Sequence, residues 1–179
     1  MKKLSLAQLN RLSIEEFRET NKMPVVLVLD NIRSALNVGS IFRSSDAFAL
    51  RHIHLCGITA RPPHKEINKT AIGATASVAW SYHKDIELLI KELKNDGYKI
   101  IGVEQTDSSV ELQKFPINSE DRYALVLGNE VEGVSEALLA ELDAAIEIPQ
   151  YGTKHSLNVA VCTGIVLWEF RKFYINNPV

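Results

Sequence analysis

The sequence predicts an α/β domain in which a mainly parallel sheet is sandwiched by helices. Three observations support this. Residues 25–29, 99–103 and 123–127 are short, largely apolar runs, the composition of strands buried on both faces. Between such runs lie segments of helical periodicity closed by helix-stop residues, as in 85–95 followed by Gly97. No repeat, low-complexity tract or shift of composition divides the chain, and 179 residues suffice for one substantial core.

The elements follow in order. Residues 5–20 suit a short amphipathic helix with Leu9 and Phe17 near helical spacing, and Ser13 with Glu16 forms a capping box that would break it into two helical turns. After the strand over 25–29, a loop over 30–36 leads to a helix over 38–50 with Ile41, Phe42, Ser45 and Ala49 facing inward. Residues 53–56 form the second strand. The polar section 59–75, with Pro62 and Pro63, is long for a plain connection and points to function or a short helix. Residues 78–82 suit an edge strand, and the polar segment 107–121 carries a short helix. Ser135 is the expected N-cap of a helix over 135–142. A strand containing Ala145, Ile146 and Ile148 then stops at Pro149, and the almost wholly apolar stretch 157–173 reads as a buried final helix.

The composition excludes several classes. The chain is 46% hydrophobic and 23% charged, ordinary for a soluble globular protein. No apolar run approaches the roughly 20 residues that span a bilayer, and the N-terminus lacks the continuous apolar stretch of a signal peptide. Cys56 and Cys162 lie in apolar surroundings without metal-like spacing, as buried thiols in a reducing compartment do, so a cytoplasmic location is expected. Net charge is −2, from 20 Lys+Arg against 22 Asp+Glu. That balance does not announce a nucleic-acid binder, but Arg33, Arg43, Arg51, Arg61, Lys65 and Lys69 gather in the first half and permit a local basic face.

Ligands of open α/β sheets bind beyond the carboxyl ends of strands, and three polar segments stand at such ends. The first, 37–48, reads NVGSIFRSSDAF: Gly39 permits close backbone approach, while Asn37 is a candidate cap and Arg43 either a solvated helix charge or a site residue. The second, 125–135, reads LVLGNEVEGVS, an acidic loop between two glycines. It is no phosphate loop, because its carboxylates repel phosphate and no Lys-Ser/Thr pair follows Gly133; GxGxxG occurs nowhere. A tight loop with Glu132 solvated accounts for it equally. The third, 148–161, reads IPQYGTKHSLNVAV, with polar residues 152–156 entering the last helix, where free backbone N–H groups can bind a polar ligand. A strand-to-helix turn capped by Ser156 or Asn158 has the same spacing. Glu104, ending a strand, faces a ligand or simply opens a loop.

Other chemistries are disfavoured. The histidines include no HxxxH pair, and His52 with His54 on one strand is a poor zinc site, so no metal is expected. Cys162 within a helix is a poor nucleophile, and Ser156 beside His155 lacks an acidic orienter. Trp80 and Trp168 read as packing residues rather than base-stacking platforms.

Together, in order and content, the three segments resemble the SpoU/TrmH family, the RNA ribose 2′-O-methyltransferases of the SPOUT superfamily. The likeness spans residues 24 to about 173. Asn37-Val38-Gly39-Ser40-Ile41-Phe42-Arg43 matches the first family motif, Gly128-Asn129-Glu130 through Gly133 the second, and Ile148-Pro149, Gly152 and Ser156-Leu157-Asn158-Val159 the third. Gln150 departs from the methionine common there.

The resemblance implies a SPOUT fold whose C-terminal segment forms a trefoil knot, with residues 1–23 a short helical extension and 24–179 the methyltransferase domain. It implies S-adenosylmethionine as cofactor, tRNA or rRNA as substrate, and a homodimer whose RNA sites form at the subunit interface. By position, Leu127, Gly128, Ile148 and Leu157 bind the cofactor, the last three largely through main chain, with Glu104 and Pro149 nearby. Arg43 stands for the catalytic arginine, Asn37 for the asparagine that supports it, and Glu130, Ser156 and Asn158 for the remaining polar site positions. A catalytically silent RNA-binding dimer of the same fold is the alternative.

Overall fold

A computed structural model describes residues 1–177, and of Leu6 and Ala7 the backbone alone. A 3₁₀ turn (Leu6–Leu9) and helix α1 (Ile14–Glu19) precede the sheet. The break between them is the capping box read from sequence: the Glu16 N–H donates to Ser13 Oγ at 3.1 Å, and the Ser13 N–H donates to Glu16 Oε2 at 2.8 Å. Strand β1 (Met23–Asp30), helix α2 (Ala35–Ala47) and strand β2 (Leu50–Cys56) follow. Then come α3 (Lys65–Ala71), α4 (Ala74–Ser77), β3 (Trp80–His83), α5 (Ile86–Asn95) and β4 (Tyr98–Val103). The chain continues through β5 (Val110–Glu111), a 3₁₀ turn (Leu112–Lys114), β6 (Arg122–Leu127), α6 (Glu136–Leu139), β7 (Ala144–Glu147) and α7 (Val159–Asn176).

The seven strands form one sheet in the order β3-β2-β1-β6-β4-β7-β5, and all pairs are parallel. Helices cover both faces, as the alternation predicts. Alternate residues of β1 divide between two cores: Val25, Leu27 and Leu29 join α2, α3 and α7, whereas Val26 and Val28 join α5 and α6. On the first face Tyr123, Phe170 and Phe115 cluster, with the Tyr123 and Phe170 rings edge to face at 5.3 Å. Truncating a fully buried aromatic such as Phe170 to alanine costs about 3–5 kcal/mol.

The structure corrects several expectations. Helix α2 starts at Ala35 rather than 38, because Ser34 caps it by accepting from the Asn37 N–H at 3.3 Å; Asn37 is a first-turn residue, not the cap. The same helix ends at Ala47, since Ala49 adopts φ +51 and Leu50 already belongs to β2. Gly39 serves helix packing rather than ligand approach: a Cβ there would collide with the Ile67 carbonyl and Thr70 Oγ1 of α3. The polar section 59–75 carries a short helix, α3, as its length suggests, whereas the helix over 135–142 shrinks to α6 and the two-residue β5 was not foreseen. Helix α7 is not buried on all sides. Val166, Leu167 and Phe170 face the core, but Val161, Ile165, Trp168 and Ile175 form an exposed apolar stripe at helical spacing. Trp168 still packs one face on Phe48, with ring centroids 6.0 Å apart.

Candidate active site

The loops that follow β4, β6 and β7 converge over the carboxyl ends of those neighbouring strands and enclose one pocket. The loop after β6 is closed on itself, Asn129 and Gly133 exchanging backbone hydrogen bonds of 2.9 Å in both directions. Asn129 organises its interior by accepting from the N–H groups of Val131 (2.9 Å) and Glu132 (3.2 Å) and donating to the Asn31 carbonyl at 2.8 Å. Gly128 is required by close approach, because a Cβ there would overlap the backbone of Gly133 and Val134.

Glu130 leaves this loop and reaches the start of α2. Its carboxylate accepts from the N–H groups of Arg33 (2.8 Å) and Ser34 (3.1 Å) and from Asn37 Nδ2 (3.0 Å). Burial opposes the ionised form, but the N–H donors, led by Arg33, and the Asn37 amide outweigh it and hold this carboxyl below the ordinary glutamate range. Asn37 Oδ1 in turn accepts from Asn158 Nδ2 at 3.1 Å. Asn158, not Ser156, is the N-cap of α7, accepting from Ala160 (3.0 Å) and Val161 (3.3 Å) N–H groups. One polar chain, Glu130–Asn37–Asn158, thus ties together all three segments singled out in the sequence.

Of the expected site residues, Glu104, Leu127, Gly128, Glu130, Ile148, Ser156, Leu157 and Asn158 line the pocket. Asn37 stands behind it, bonded to Glu130 and Asn158, and Pro149 lies outside the lining. Arg43 does not line it either. It is exposed on α2, about 9 Å farther along the axis than Asn37 and roughly 120° around it. Both carboxylate oxygens of Glu104 are engaged, by the N–H groups of Val134 and Gln105 at 3.0 Å each.

The sequence reading missed Gln105, Asn129 and Cys162, all in the lining. Asn129 sits within a quoted motif four residues before a glycine, which is its only sequence signal. Cys162 is half-buried rather than buried, and burial followed by the nearby Glu104 pushes its thiol up to about 11, which suits no nucleophile.

The lining contains Glu104, Glu130, Glu132, Glu136 and Glu147 but no lysine or arginine, and its apolar wall includes Leu127, Ile146, Ile148 and Leu157. Such a pocket suits a cation with an apolar or aromatic body and repels phosphate.

Away from the pocket, His54 Nδ1 lies 3.1 Å from His83 Nε2 and 3.1 Å from Ser81 Oγ, and His52 Nε2 lies 2.8 Å from the same hydroxyl. Among the described residues no group of three or more His, Cys, Asp or Glu is placed to hold a metal ion.

Residues 24–168 match the family model described as SpoU rRNA Methylase family. The chain belongs to that family. Among SpoU relatives, a 23S rRNA (guanosine-2′-O-)-methyltransferase RlmB of Neisseria meningitidis serogroup B is 31% identical over 167 residues, 93% of this chain and 66% of the relative. A tRNA (guanosine(18)-2′-O)-methyltransferase of Aquifex aeolicus is 29% identical over 165 residues, 89% of this chain and 74% of the relative. The chain therefore spans about two thirds to three quarters of the length of these relatives. In structure it is similar to the A. aeolicus TrmH/SpoU tRNA modifying enzyme, with a TM-score of 0.81 at 26% identity over 92% of this chain and 82% of that one. An AdoMet-bound rRNA methyltransferase from Sinorhizobium meliloti gives 0.79 at 28% identity, over 88% of this chain and 60% of that one. Both structures share the fold of this chain, the α/β class that the alternation of elements predicts.

Proposed function

We propose that this protein is an S-adenosylmethionine-dependent RNA methyltransferase that modifies a ribose 2′-hydroxyl. The observation that carries the reading is the pocket at the ends of β4, β6 and β7, walled by the family's second and third motifs and tied to the first through Asn37. S-adenosylmethionine, a sulfonium with an adenine body, fits a lining of carboxylates and aliphatic side chains without lysine or arginine. Leu127, Gly128, Ile148 and Leu157 would hold it, with Glu104 and Pro149 nearby. When bound, it supplies a methyl group already activated by the sulfonium charge.

The protein then has two tasks, in-line alignment of the ribose oxygen and stabilisation of that oxygen as its proton leaves. Glu130 and Asn37 fix Asn158 at the wall, beside Ser156, so the polar edge facing the ribose is rigid. Arg43 provides the second task. A guanidinium stays protonated under ordinary conditions, so its role is to stabilise the developing alkoxide rather than to accept the proton.

Arg43 is exposed and does not line the pocket of its own chain, and we infer that it serves the pocket of a second copy in a homodimer. The exposed apolar stripe of Val161, Ile165, Trp168 and Ile175 supports association, since water contact with a continuous apolar strip is unfavourable. In the same reading the segment from Ile148 into α7 is the threaded part of a trefoil knot, and residues 1–23 are an extension beside a methyltransferase domain over 24–179. No helix among the described residues is long and apolar enough to cross a membrane, and a substrate of tRNA or rRNA favours the cytoplasm.

Incubation with total RNA and S-adenosylmethionine, followed by nucleoside mass spectrometry, tests the activity and names the nucleoside. RNA binding without any 2′-O-methyl product would favour the silent RNA-binding alternative. Sedimentation equilibrium tests the dimer.

A further inference from the structure

The turn after β4 is bonded to two walls of the pocket. Glu104 Oε2 accepts from the Val134 N–H at 3.0 Å, which fixes the exit of the loop after β6. Glu104 Oε1 accepts from the Gln105 N–H at 3.0 Å, which fixes the turn itself. Gln105 Nε2 then donates to the His155 carbonyl oxygen at 2.8 Å, in the loop after β7. That loop has little else to order it. Residues 151–158 are all exposed, and among the described residues the bond from Gln105 is the only hydrogen bond made by any residue from 149 to 157.

We propose that Glu104 and Gln105 act as a bracket that sets the spacing of the two loops, with Gln105 the positioning residue that pre-forms the wall carrying Ser156 and Leu157. The proposal rests on the reading of this pocket as the S-adenosylmethionine site. Its physical basis is pre-organisation: a loop already held in its bound shape loses less conformational freedom when ligand arrives. Gln105 is itself exposed, so its loss leaves the core intact. The bond therefore belongs to ligand affinity rather than to global stability.

The test is Gln105→Met, which keeps the length of the side chain and removes the donor. Calorimetry with S-adenosylmethionine on the full chain is expected to show about tenfold weaker binding, in line with the loss of one hydrogen bond and the freeing of its loop. The KM for the cofactor rises by a similar factor, while kcat at saturating cofactor stays within about twofold and the thermal midpoint is unchanged. A merely structural residue would move the thermal midpoint and kcat instead. Wild-type binding together with unaltered Gln105→Met binding overturns the bracket alone. Wild-type protein that does not bind S-adenosylmethionine overturns the cofactor reading and the bracket with it.

Discussion

Asn158 Nδ2 donates to Asn37 Oδ1 at 3.1 Å, joining two helix starts that are 121 residues apart in sequence. Each partner has a second duty, Asn158 as the cap of α7 and Asn37 as a donor to Glu130. The pair is therefore a junction, and changes there propagate to the start of both helices.

Replacing Asn158 by alanine removes the cap and the junction together. The expected cost is about 0.5–2 kcal/mol from the cap alone. Urea midpoints read this directly, and Asn158→Asp separates the terms, because aspartate keeps the capping oxygen and loses the donor to Asn37. It should recover most of the stability but not the activity.

Asn37→Asp sets a carboxylate against Glu130, and it should destabilise more than Asn37→Ala at neutral pH. Because the folded pKa of Glu130 is depressed, its contribution is full above the ordinary glutamate value of 4.5 and is lost as pH falls through the lower folded value. The gap between the two variants should close as acid protonates the facing carboxylate pair, whose like charges raise its titration. Denaturant midpoints at pH 7 and in acid decide it, and a gap independent of pH would refute the placement of charge.

Arg43→Lys should lower kcat by about 10²-fold or more, since an ammonium cannot reproduce the planar fork of a guanidinium. Arg43 does not line the pocket of its own chain, so cofactor affinity measured by calorimetry without RNA should hold. Near-normal turnover by this variant would sink the assigned role.

His54 supplies a different pH signature. Burial, then the charges of His52 and His83, push it down to about 3 from an ordinary 6.5. The unfolded chain thus takes up a proton below pH 6.5 that the folded chain refuses until about 3. Stability should fall as pH drops from 6.5 towards 3, and the upper part of that window precedes any contribution from Glu130. Midpoints between pH 7 and 5 test the slope, which His54→Leu should flatten.

Cys162, at about 11, carries roughly one thiolate per thousand molecules at pH 8. Alkylation by iodoacetamide should therefore be slow at pH 8, quicken steeply with pH, and be slowed further by S-adenosylmethionine, because this thiol lines the pocket. Intact-mass spectrometry follows it, and rapid labelling at pH 7.5 would contradict the half-buried setting beside Glu104.

Much of this was legible in the sequence, for physical reasons. Continuous apolar runs marked β1, β4 and β6, because strands covered on both faces cannot alternate. Polar residues crowded at strand ends marked the three site loops. The start of α2 was less legible: the residues that lead into it, Arg33 and Ser34, are held by Glu130, 97 and 96 residues away, and local pattern carries no trace of such a partner. The exposed stripe on α7 was hidden because an all-round apolar helix gives no period that distinguishes its core face from its outer one. Arg43 matched its motif by spacing, yet helix rotation takes it away from the pocket that Asn37 supports. Gln105 offered no pattern at all, since its importance lies in one bond to a backbone oxygen 50 residues later.

Strand β7 lies between β4 and β5, both of which precede it in the chain. During synthesis β4 and β5 therefore emerge first, with an open slot between them and nothing to pair across it. Until residues 144–147 leave the ribosome, β4 presents a bare edge to its surroundings, and β5, which among the described residues pairs with β7 alone, has no place in the sheet. The sheet closes late and from the inside. A nascent chain of this protein thus keeps a vacancy for its own last strand, and a chaperone that shields that edge would protect the step most exposed to mispairing.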